Sequence, residues 1–259
     1  MPAGPEPPSP TSPTPLAALA ARVRRLHAAS GRRVVLGITG SPGAGKTTLA
    51  GSLVALLNAG DAASEADPAA VPGGASDGAA MGTAPATVAV HLPMDGFHLA
   101  NTTLDRLGLR DRKGAIETFD GWGFLALLER VRREVDHTVY APAFERDVDE
   151  PVAGEIAIAA SAGFVVVEGN YLLAEAEPWR RMRALLDEAW FCDAHDEERL
   201  RRLVRRHTEF GRSPDAAHAW ATEVDGANAR GIEPSRARAD LVVSGVTWEV
   251  VGGGQSAGA

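Results

Sequence analysis

Short apolar runs alternate along the chain with segments in which apolar residues recur every three or four positions. The short runs are rich in β-branched residues, and they lie at residues 34–39, 87–92, 164–167, 241–243 and 246–250. The segments with helical spacing lie at residues 16–29, 49–57 and 122–131. Runs of the first kind are typical of strands buried in a parallel sheet, and helical spacing predicts amphipathic helices. The pattern therefore predicts an α/β fold, with a mostly parallel sheet flanked by helices.

Three segments lack any apolar periodicity. Residues 2–15 are rich in Pro, Ser and Thr, and residues 60–86 consist almost wholly of Ala, Gly, Pro, Asp and Ser. Such compositions cannot bury enough apolar surface to offset the cost of ordering the chain. We therefore expect a disordered leader at 1–15, one domain at 16–251 that contains a flexible insertion at 60–86, and a disordered tail at 252–259.

Smaller elements are predicted around this framework. The helix at residues 16–29 is expected to pack on the edge of the sheet. Strands are expected at residues 138–144 and 155–159, the second because its apolar and polar residues alternate. Thr118 or Asp120 is expected to cap the helix whose apolar face begins at Trp122.

Composition and charge narrow the class of protein. The chain has 259 residues, of which 45% are hydrophobic, so it can bury the core of one α/β domain with a small lid. Its net charge of -8 gives no overall basic field for nucleic acid or an anionic membrane. Cys192 is the single cysteine and lies in an apolar run, which favours a buried, inert thiol. No run approaches the ~18 apolar residues of a membrane span, so a cytoplasmic location is expected.

A phosphate-binding loop follows the first predicted strand. Residues 40–47 read G-S-P-G-A-G-K-T, which matches G-x-x-x-x-G-K-S/T between a strand and a helix. A chance match in this composition has odds on the order of one in a few hundred. Lys46 is expected on a solvent-facing loop, where it reaches the β- and γ-phosphates of ATP, and the Thr47 hydroxyl is expected to hold Mg²⁺. The residues assigned to the nucleotide are Gly40, Ser41, Gly43, Ala44, Gly45, Lys46, Thr47 and Thr48.

Lysine usage separates two positions from all other basic residues. The chain has 26 lysines and arginines, and only Lys46 and Lys113 are lysines. A chain that uses arginine wherever a positive charge suffices has kept lysine in the phosphate loop. Lys113 lies in the polar segment R-K-G-A-I-E-T-F-D, where helix capping explains Thr118 or Asp120 but not the lysine.

Two carboxylates follow predicted strands, at the edge where open α/β sheets bind ligands. Asp95 ends the strand at residues 87–92 in P-M-D-G-F-H, and it is either a general base or a cap or turn residue, with equal weight. His98 either contacts substrate or lies on a loop. Glu168 ends the strand at residues 164–167, and the metal-side interpretation is favoured over a cap because a phosphate loop lies in the same sheet.

Arginines near residues 195–235 predict a lid. Glu197 and Glu198 precede Arg201 and Arg202 by four residues, so those two arginines are expected to be structural. Arg205, Arg206 and Arg212 have no acidic residue four positions upstream, and they flank a loop that contains Gly211 and Pro214. They either stabilise a transferring phosphoryl group or form a solvated basic face, with equal weight for any one of them. Arg205 and Arg212 are assigned to catalysis.

Five motifs in this order resemble the phosphoribulokinase/uridine kinase superfamily, in its pantothenate-kinase-like and nucleoside-kinase-like branch. They are the phosphate loop, P-M-D-G-F-H, R-K-G-A-I-E-T-F-D, Y-A-P-A-F-E-R from Tyr140 and V-V-V-E-G-N-Y from Val165. The resemblance covers roughly residues 33–250. It implies that Asp95 is the base, that Glu168 is the magnesium-side carboxylate, and that the substrate pocket includes Lys113, Tyr140 and Arg146. From the residues alone, Arg146 either anchors an anionic or hydroxyl-rich substrate or forms a surface ion pair with a neighbouring acid. His98 and Asn170 are also assigned to substrate binding. The segment after Tyr140 and the shorter C-terminal part depart from type I pantothenate kinases.

The sequence thus predicts an ATP- and Mg²⁺-dependent kinase that phosphorylates a hydroxyl of a nucleoside, a pantothenate-like acid or a sugar. The alternative is a P-loop ATPase or a nucleotide sensor that acts on a protein partner. A GTPase switch is disfavoured, because neither lysine lies in an N-K-x-D motif. The expected partner is a small molecule, with no nucleic acid and no membrane, and the sequence leaves homodimerisation open.

Overall fold

The computed structural model describes residues 13–59 and 89–253. The insertion at 60–86, most of the leader and residues 254–259 of the tail lie outside the described residues. The leader was predicted to extend to residue 15, but helix α1 begins at Pro15, with the side chain of Thr14 accepting a hydrogen bond from the backbone N–H of Ala17. A proline at the first helical position explains this start, because its missing N–H would have no partner there.

A six-stranded sheet forms the centre of the described structure, with the strand order β2-β5-β1-β6-β7-β8. All neighbouring pairs are parallel except β7 and β8. A separate antiparallel hairpin pairs β3 with β4. The strands are β1 (Val34–Thr39), β2 (Ala89–Pro93), β3 (Val139–Glu145), β4 (Glu150–Ile158), β5 (Phe164–Glu168), β6 (Glu188–Asp193), β7 (Leu241–Ser244) and β8 (Val250–Gly252).

Helices cover both faces of the sheet. They are α1 (Pro15–Ser30), α2 (Lys46–Asn58), α3 (Asn101–Leu107), α4 (Gly121–Arg133), α5 (Asp196–Glu209), α6 (Pro214–Trp220) and α7 (Gly226–Ile232), and a π-helical segment, Ala221–Asp225, joins the last two. No helix in residues 13–59 and 89–253 is long and apolar enough to span a membrane.

The core is divided by the sheet into two layers. Val34, Leu36 and Ile38 of β1 pack in the layer beneath α1 and α2, whereas Val35 packs in the layer beneath α4. Successive side chains of a strand point to opposite faces, so a strand that is apolar at every position must be covered on both sides. The continuous apolar runs of the sequence have this cause, and the α/β prediction is confirmed.

Three local predictions are wrong in detail. Helix α1 packs against α2 and the central strand β1, not on the sheet edge. Trp122 is 56% exposed under the guanidinium of Arg181, because Phe124, Leu127 and Leu128 form the inward face of α4. The last strand begins at Val250 and not at residue 246, since the chain turns through Trp248, whose N–H donates to the carbonyl of Ser244.

Candidate active site

A cleft of about 1100 Å³ opens at the carboxyl edge of the sheet. The phosphate loop follows β1, Asp95 follows β2, and Glu168 ends β5, which lies between those two strands. Parallel strands bring the residues that follow them to one edge. Three segments that are far apart in the sequence therefore line one cleft.

Glycines allow the phosphate loop to adopt its conformation. Gly43 and Gly45 have φ angles of +78° and +102°, a region that side chains rarely adopt. A Cβ atom at Gly43 would lie 2.8 Å from the carbonyl oxygen of Arg199, and one at Gly45 would lie 2.6 Å from that of Gly245. These two positions therefore require glycine for both their conformation and their close contacts.

Two arginines of α5 bind the carbonyl groups on the outer side of this loop. The buried Arg199 donates from Nε to the carbonyl oxygen of Pro42 at 3.0 Å. Arg202 donates from Nη1 to the carbonyl oxygens of Gly43 and Ala44, at 3.4 and 3.2 Å, and from Nε to Glu198. The loop carbonyls are thus satisfied from the side of α5. The expected structural role of Arg202 is confirmed.

Lys46 is buried, contrary to the prediction of a solvent-facing side chain, because α2 starts at this residue and turns it toward the sheet. Its Nζ donates to the carbonyl oxygen of Ser41 at 3.0 Å. Burial lowers the pKa of Lys46, and the charges of Glu168 and Asp95 oppose that effect. A lysine that is desolvated in this way gains most from a bound anion.

Thr47 and Glu168 provide oxygen atoms next to Lys46. The Thr47 hydroxyl donates to Glu168 Oε1 at 3.1 Å, and His91 Nε2 lies 3.5 Å from Oε2, outside hydrogen-bonding geometry within the described chain. Burial alone would raise the pKa of Glu168, but nearby His91, Lys46 and Thr47 favour the carboxylate, and the net pKa is lowered. Mg²⁺ uses one or two protein oxygens together with phosphate oxygens and water, so this pair fits the ion.

Asp95 lies in a 3₁₀ turn, Met94–Phe97, at the end of β2. Its backbone carbonyl accepts from the N–H of His98, and His98 Nδ1 lies 2.8 Å from the same oxygen. No hydrogen bond to the Asp95 carboxylate occurs within residues 13–59 and 89–253. The side chain lines the cleft and caps no described helix.

The second lysine has a structural role in the described chain. Lys113 Nζ lies 2.8 Å from Asn101 Oδ1, 2.7 Å from the Asp149 carbonyl oxygen and 2.9 Å from Asp149 Oδ2. An ammonium group has three N–H donors, and these three acceptors use them. Lys113 lines the cleft and holds the hairpin turn through these three contacts, and its assignment to substrate binding stays a prediction.

The lid arginines differ in their partners. Arg205 is exposed and lies 3.4 Å from Glu209 Oε1, one turn further along α5, which weakens its assignment to catalysis. Arg212 stacks on Trp220, with the guanidinium carbon 3.9 Å from the ring centre. Arg206 is half-buried, and its charge lowers the pKa of Lys46. Arg206 also lies one helical turn after Arg202, which binds the phosphate loop, and it is a better candidate for charge stabilisation than Arg205.

Most of the predicted site residues line the cleft, while four do not. Those that line it are Gly43, Gly45, Lys46, Thr47, Thr48, Asp95, His98, Lys113, Arg146, Glu168, Asn170, Arg205 and Arg212. Tyr140 lies outside it and is 59% exposed, because its neighbours Val139 and Ala141 on β3 face the core. Its assignment to the substrate pocket has no support from this position and stays a prediction. The other three residues that do not line the cleft are Gly40, Ser41 and Ala44. They are buried against other parts of the protein, and the Ser41 hydroxyl donates a hydrogen bond to Glu233.

Two residues that shape the site, Arg199 and Glu233, were not among the residues predicted from the sequence. Arg199 follows Asp196 by three positions and pairs with it, as in an ordinary helical ion pair. Nothing in the local sequence indicates that its Nε reaches Pro42. Arg206 was predicted as a lid arginine, but Arg205 was assigned to catalysis in its place. Glu209, four residues after Arg205, is a local signal that separates the two, because it pairs with Arg205.

Comparison with known proteins finds relatives among P-loop proteins. A family model described as methylmalonyl Co-A mutase-associated GTPase MeaB matches residues 12–83, a part that includes the phosphate loop but ends before Asp95. The ATP-dependent kinase-like protein notR' of Aspergillus versicolor is 39% identical over 133 residues, which are 49% of this chain and 77% of that protein.

Two solved structures share the fold. The putative fructose transport system kinase from Silicibacter sp. TM1040 has a TM-score of 0.72 and 35% identity, and the alignment covers 88% of this chain and 98% of that one. YFH7 from Saccharomyces cerevisiae, described as a putative P-loop containing kinase with a circular permutation, has a TM-score of 0.69 and 19% identity, and the alignment covers 85% of this chain and 95% of that one. The second likeness concerns the fold alone.

Proposed function

Because the chain belongs to the P-loop kinases of the phosphoribulokinase/uridine kinase superfamily, we propose that it transfers the γ-phosphoryl group of ATP to a hydroxyl of a small metabolite. Kinase chemistry and nucleotide binding follow from the family. We propose in addition the class of acceptor, the use of Mg²⁺ and the role of each residue.

One observation carries this proposal. The Asp95 carboxylate lines the cleft at the same sheet edge as Lys46 and Glu168, and no described residue hydrogen-bonds to it. A carboxylate that only held the structure together would be expected to have a donor partner. Asp95 is therefore suited to accept the proton of an incoming hydroxyl.

The remaining residues have complementary tasks in this mechanism. Asp95 accepts the hydroxyl proton as the oxygen attacks, and Lys46 and Arg206 neutralise charge on the phosphoryl oxygens. Thr47 and Glu168 would hold Mg²⁺, which supplies further positive charge to the phosphates. Phosphoryl transfer depends mainly on positioning, and the contacts of Arg199 and Arg202 hold the loop in place for it.

The acceptor candidates are a sugar, a nucleoside and a pantothenate-like acid. The printed name of the 35% identical structure, a putative fructose transport system kinase, adds weight to a sugar. It remains a prediction that the partner is a small molecule and that the protein binds neither nucleic acid nor a membrane. Homodimerisation stays open.

The first test measures acceptor-dependent ADP release from Mg-ATP with a panel of sugars, nucleosides and pantothenate. Turnover should require both an acceptor and Lys46, and Lys46→Ala should abolish it. The variant should still fold, because burial disfavours the lysine charge and its loss removes that cost. Circular dichroism and thermal melting check folding. Full turnover in a folded Lys46→Ala protein would refute the proposal.

The alternative is an ATPase or a nucleotide sensor with a protein partner. The family match to a GTPase model over residues 12–83 is the observation that keeps it open. It predicts ADP release that no small acceptor stimulates. The same assay, with and without each acceptor, separates the two functions.

A further inference from the structure

The arginines that line the cleft fall into two groups. Those with a carboxylate within 4.0 Å are Arg110, Arg201, Arg202 and Arg205. The other group consists of Arg146, Arg206 and Arg212. Within residues 13–59 and 89–253, their side chains form no ion pair and no hydrogen bond. Most of the arginines that line the cleft are thus neutralised by a carboxylate, and the positive charges of these three are available for a ligand.

Arg146 lies away from the phosphate loop. It belongs to the turn of the β3–β4 hairpin, two residues after Phe144, whose ring contacts His98 at a centroid distance of 4.9 Å. His98 is three residues from Asp95, and the ammonium of Lys113 lies 4.9 Å from the centre of the same Phe144 ring. Arg146 therefore lies on the acceptor side of the cleft, whereas Arg206 acts on Lys46 at the phosphate end.

Aromatic rings support two of these three guanidinium groups. Arg146 lies over Phe210, with its guanidinium carbon 5.5 Å from the ring centre, and Arg212 lies over Trp220 at 3.9 Å. Stacking on a ring face leaves the in-plane N–H donors free. A planar guanidinium with free donors matches a carboxylate or a phosphate through two parallel hydrogen bonds.

The other cationic side chains on the acceptor side of the cleft are already paired with protein groups. Lys113 gives its three donors to Asn101 and Asp149, and Arg110 lies 3.5 Å from Asp105 and 4.0 Å from Asp149. A neutral acceptor would leave Arg146 without a counter-charge when the cleft is filled. An anionic acceptor would provide one.

We propose that the acceptor is an anionic alcohol, an inference that rests on the proposed function. Its carboxylate or phosphate group binds Arg146 at the mouth of the cleft, with Arg212 as a second donor, and its hydroxyl faces Asp95. Neutral sugars and nucleosides are then poor acceptors compared with their acidic or phosphorylated counterparts.

The test uses pairs of acceptors that differ in charge, namely pantothenate and panthenol, ribose 5-phosphate and ribose, and glycerate and glycerol. ADP release from Mg-ATP measures phosphorylation. Thermal shift in the presence of a saturating non-hydrolysable ATP analogue measures binding, with the phosphate loop already occupied. We expect at least one charged member to be bound and phosphorylated, with kcat/KM about tenfold or more above that of its neutral partner.

Variants identify the residue responsible. Arg146→Gln should raise KM for the charged acceptor by about tenfold or more and remove the preference for charge, while KM for ATP changes little. Arg146→Lys, which keeps the charge but not the paired donors, should lose less. Arg110→Gln is the matched control, because Arg110 lines the same cleft but is paired with acids, and it should retain the preference. Melting curves of all variants establish that each is folded.

The two readouts separate failure of this inference from failure of the proposed function. Neutral members phosphorylated as well as charged ones, or an Arg146→Gln variant that retains the preference, would overturn the anionic acceptor and leave the kinase intact. Charged members that bind through Arg146 without any ADP release would overturn the kinase proposal and support the anion site. If no charged member bound and no member of any pair was phosphorylated, both would be refuted.

Discussion

At the scale of single residues, the proposed chemistry depends most on Asp95. The 3₁₀ turn that contains it places its carboxylate in the cleft, and its backbone carbonyl is held by the N–H and the ring of His98. The structure thus fixes the main chain of Asp95 and leaves its side chain available for a ligand.

The substitution Asp95→Asn tests the role of this side chain. Asparagine keeps the size but cannot accept the proton, so we expect turnover to fall by roughly 10²-fold to 10⁴-fold with ATP affinity little changed. Steady-state kinetics and nucleotide titration measure the two quantities.

Two other results would assign Asp95 differently. A near-normal rate at ordinary Mg²⁺ would remove Asp95 from the mechanism. A defect that excess Mg²⁺ partly rescues would make it a metal ligand.

His98 predicts a dependence of stability on pH. Burial lowers the pKa of His98, while Asp95 opposes that effect, so the folded chain binds the proton less readily than the unfolded chain. Stability is then fully present above the ordinary histidine pKa of about 6.5 and decreases as pH falls below it. Melting temperatures at about pH 7.5 and about pH 5.5 should differ less in His98→Gln than in the parent. The exposed His218→Gln is the control, and an unchanged difference in His98→Gln would contradict the prediction.

At the scale of elements, α5 and the phosphate loop form one unit. Arg199, in the first turn of α5, is 6% exposed. Its side chain donates to the carbonyl oxygen of Pro42 in the phosphate loop and to Asp196, the first residue of the helix. The loop therefore depends on a helix that starts more than 150 residues later in the chain.

The substitution Arg199→Gln should remove the hydrogen bond to Pro42 and leave a buried carbonyl without a donor. We expect a loss of about 1–3 kcal/mol in the free energy of unfolding, together with a raised KM for ATP. Urea denaturation and steady-state kinetics measure these. Arg201→Gln is the control, since Arg201 is exposed on the same helix and pairs only with Glu198, and its effects should be within about 0.5 kcal/mol. Equal effects of the two substitutions would show that the contact with the loop is unimportant.

At the scale of the whole molecule, the insertion at residues 60–86 interrupts the chain between α2 and β2. The described residues on either side of it are close together. The Asn58 side chain donates to the carbonyl oxygen of Ala89 at 2.9 Å and accepts from its N–H at 2.6 Å. A short connection can therefore join the two elements.

Deletion of residues 61–85 with a short flexible linker should leave activity and melting temperature nearly unchanged. The composition of the segment provides no aromatic residue and no Leu or Ile for a core, and loop length affects stability only weakly. The Asn58→Ala substitution, made in the full-length chain, is the comparison, because it removes the bonds that join α2 to β2 and should lower the melting temperature. A large loss of activity on deletion would show that the segment contributes to the site.

The sequence by itself determined the α/β fold, the phosphate loop and the two carboxylates at strand ends. These depend on local requirements. Strands covered on both faces need continuous apolar runs, Gly43 and Gly45 need positive φ angles, and Asp95 and Glu168 follow directly from the strands that carry them.

Tertiary structure alone decided which charged side chains are available. Lys113 and Arg146 are equally basic in sequence, but Asp149 and Asn101 use every donor of the lysine, and no described residue neutralises the arginine. Arg205 and Arg206 are neighbours on α5, and Glu209 pairs with Arg205 whereas Arg206 has no ion pair among the described residues. Pairs within one helix follow from local spacing, but partners on distant elements are set by distances about which local spacing carries no information.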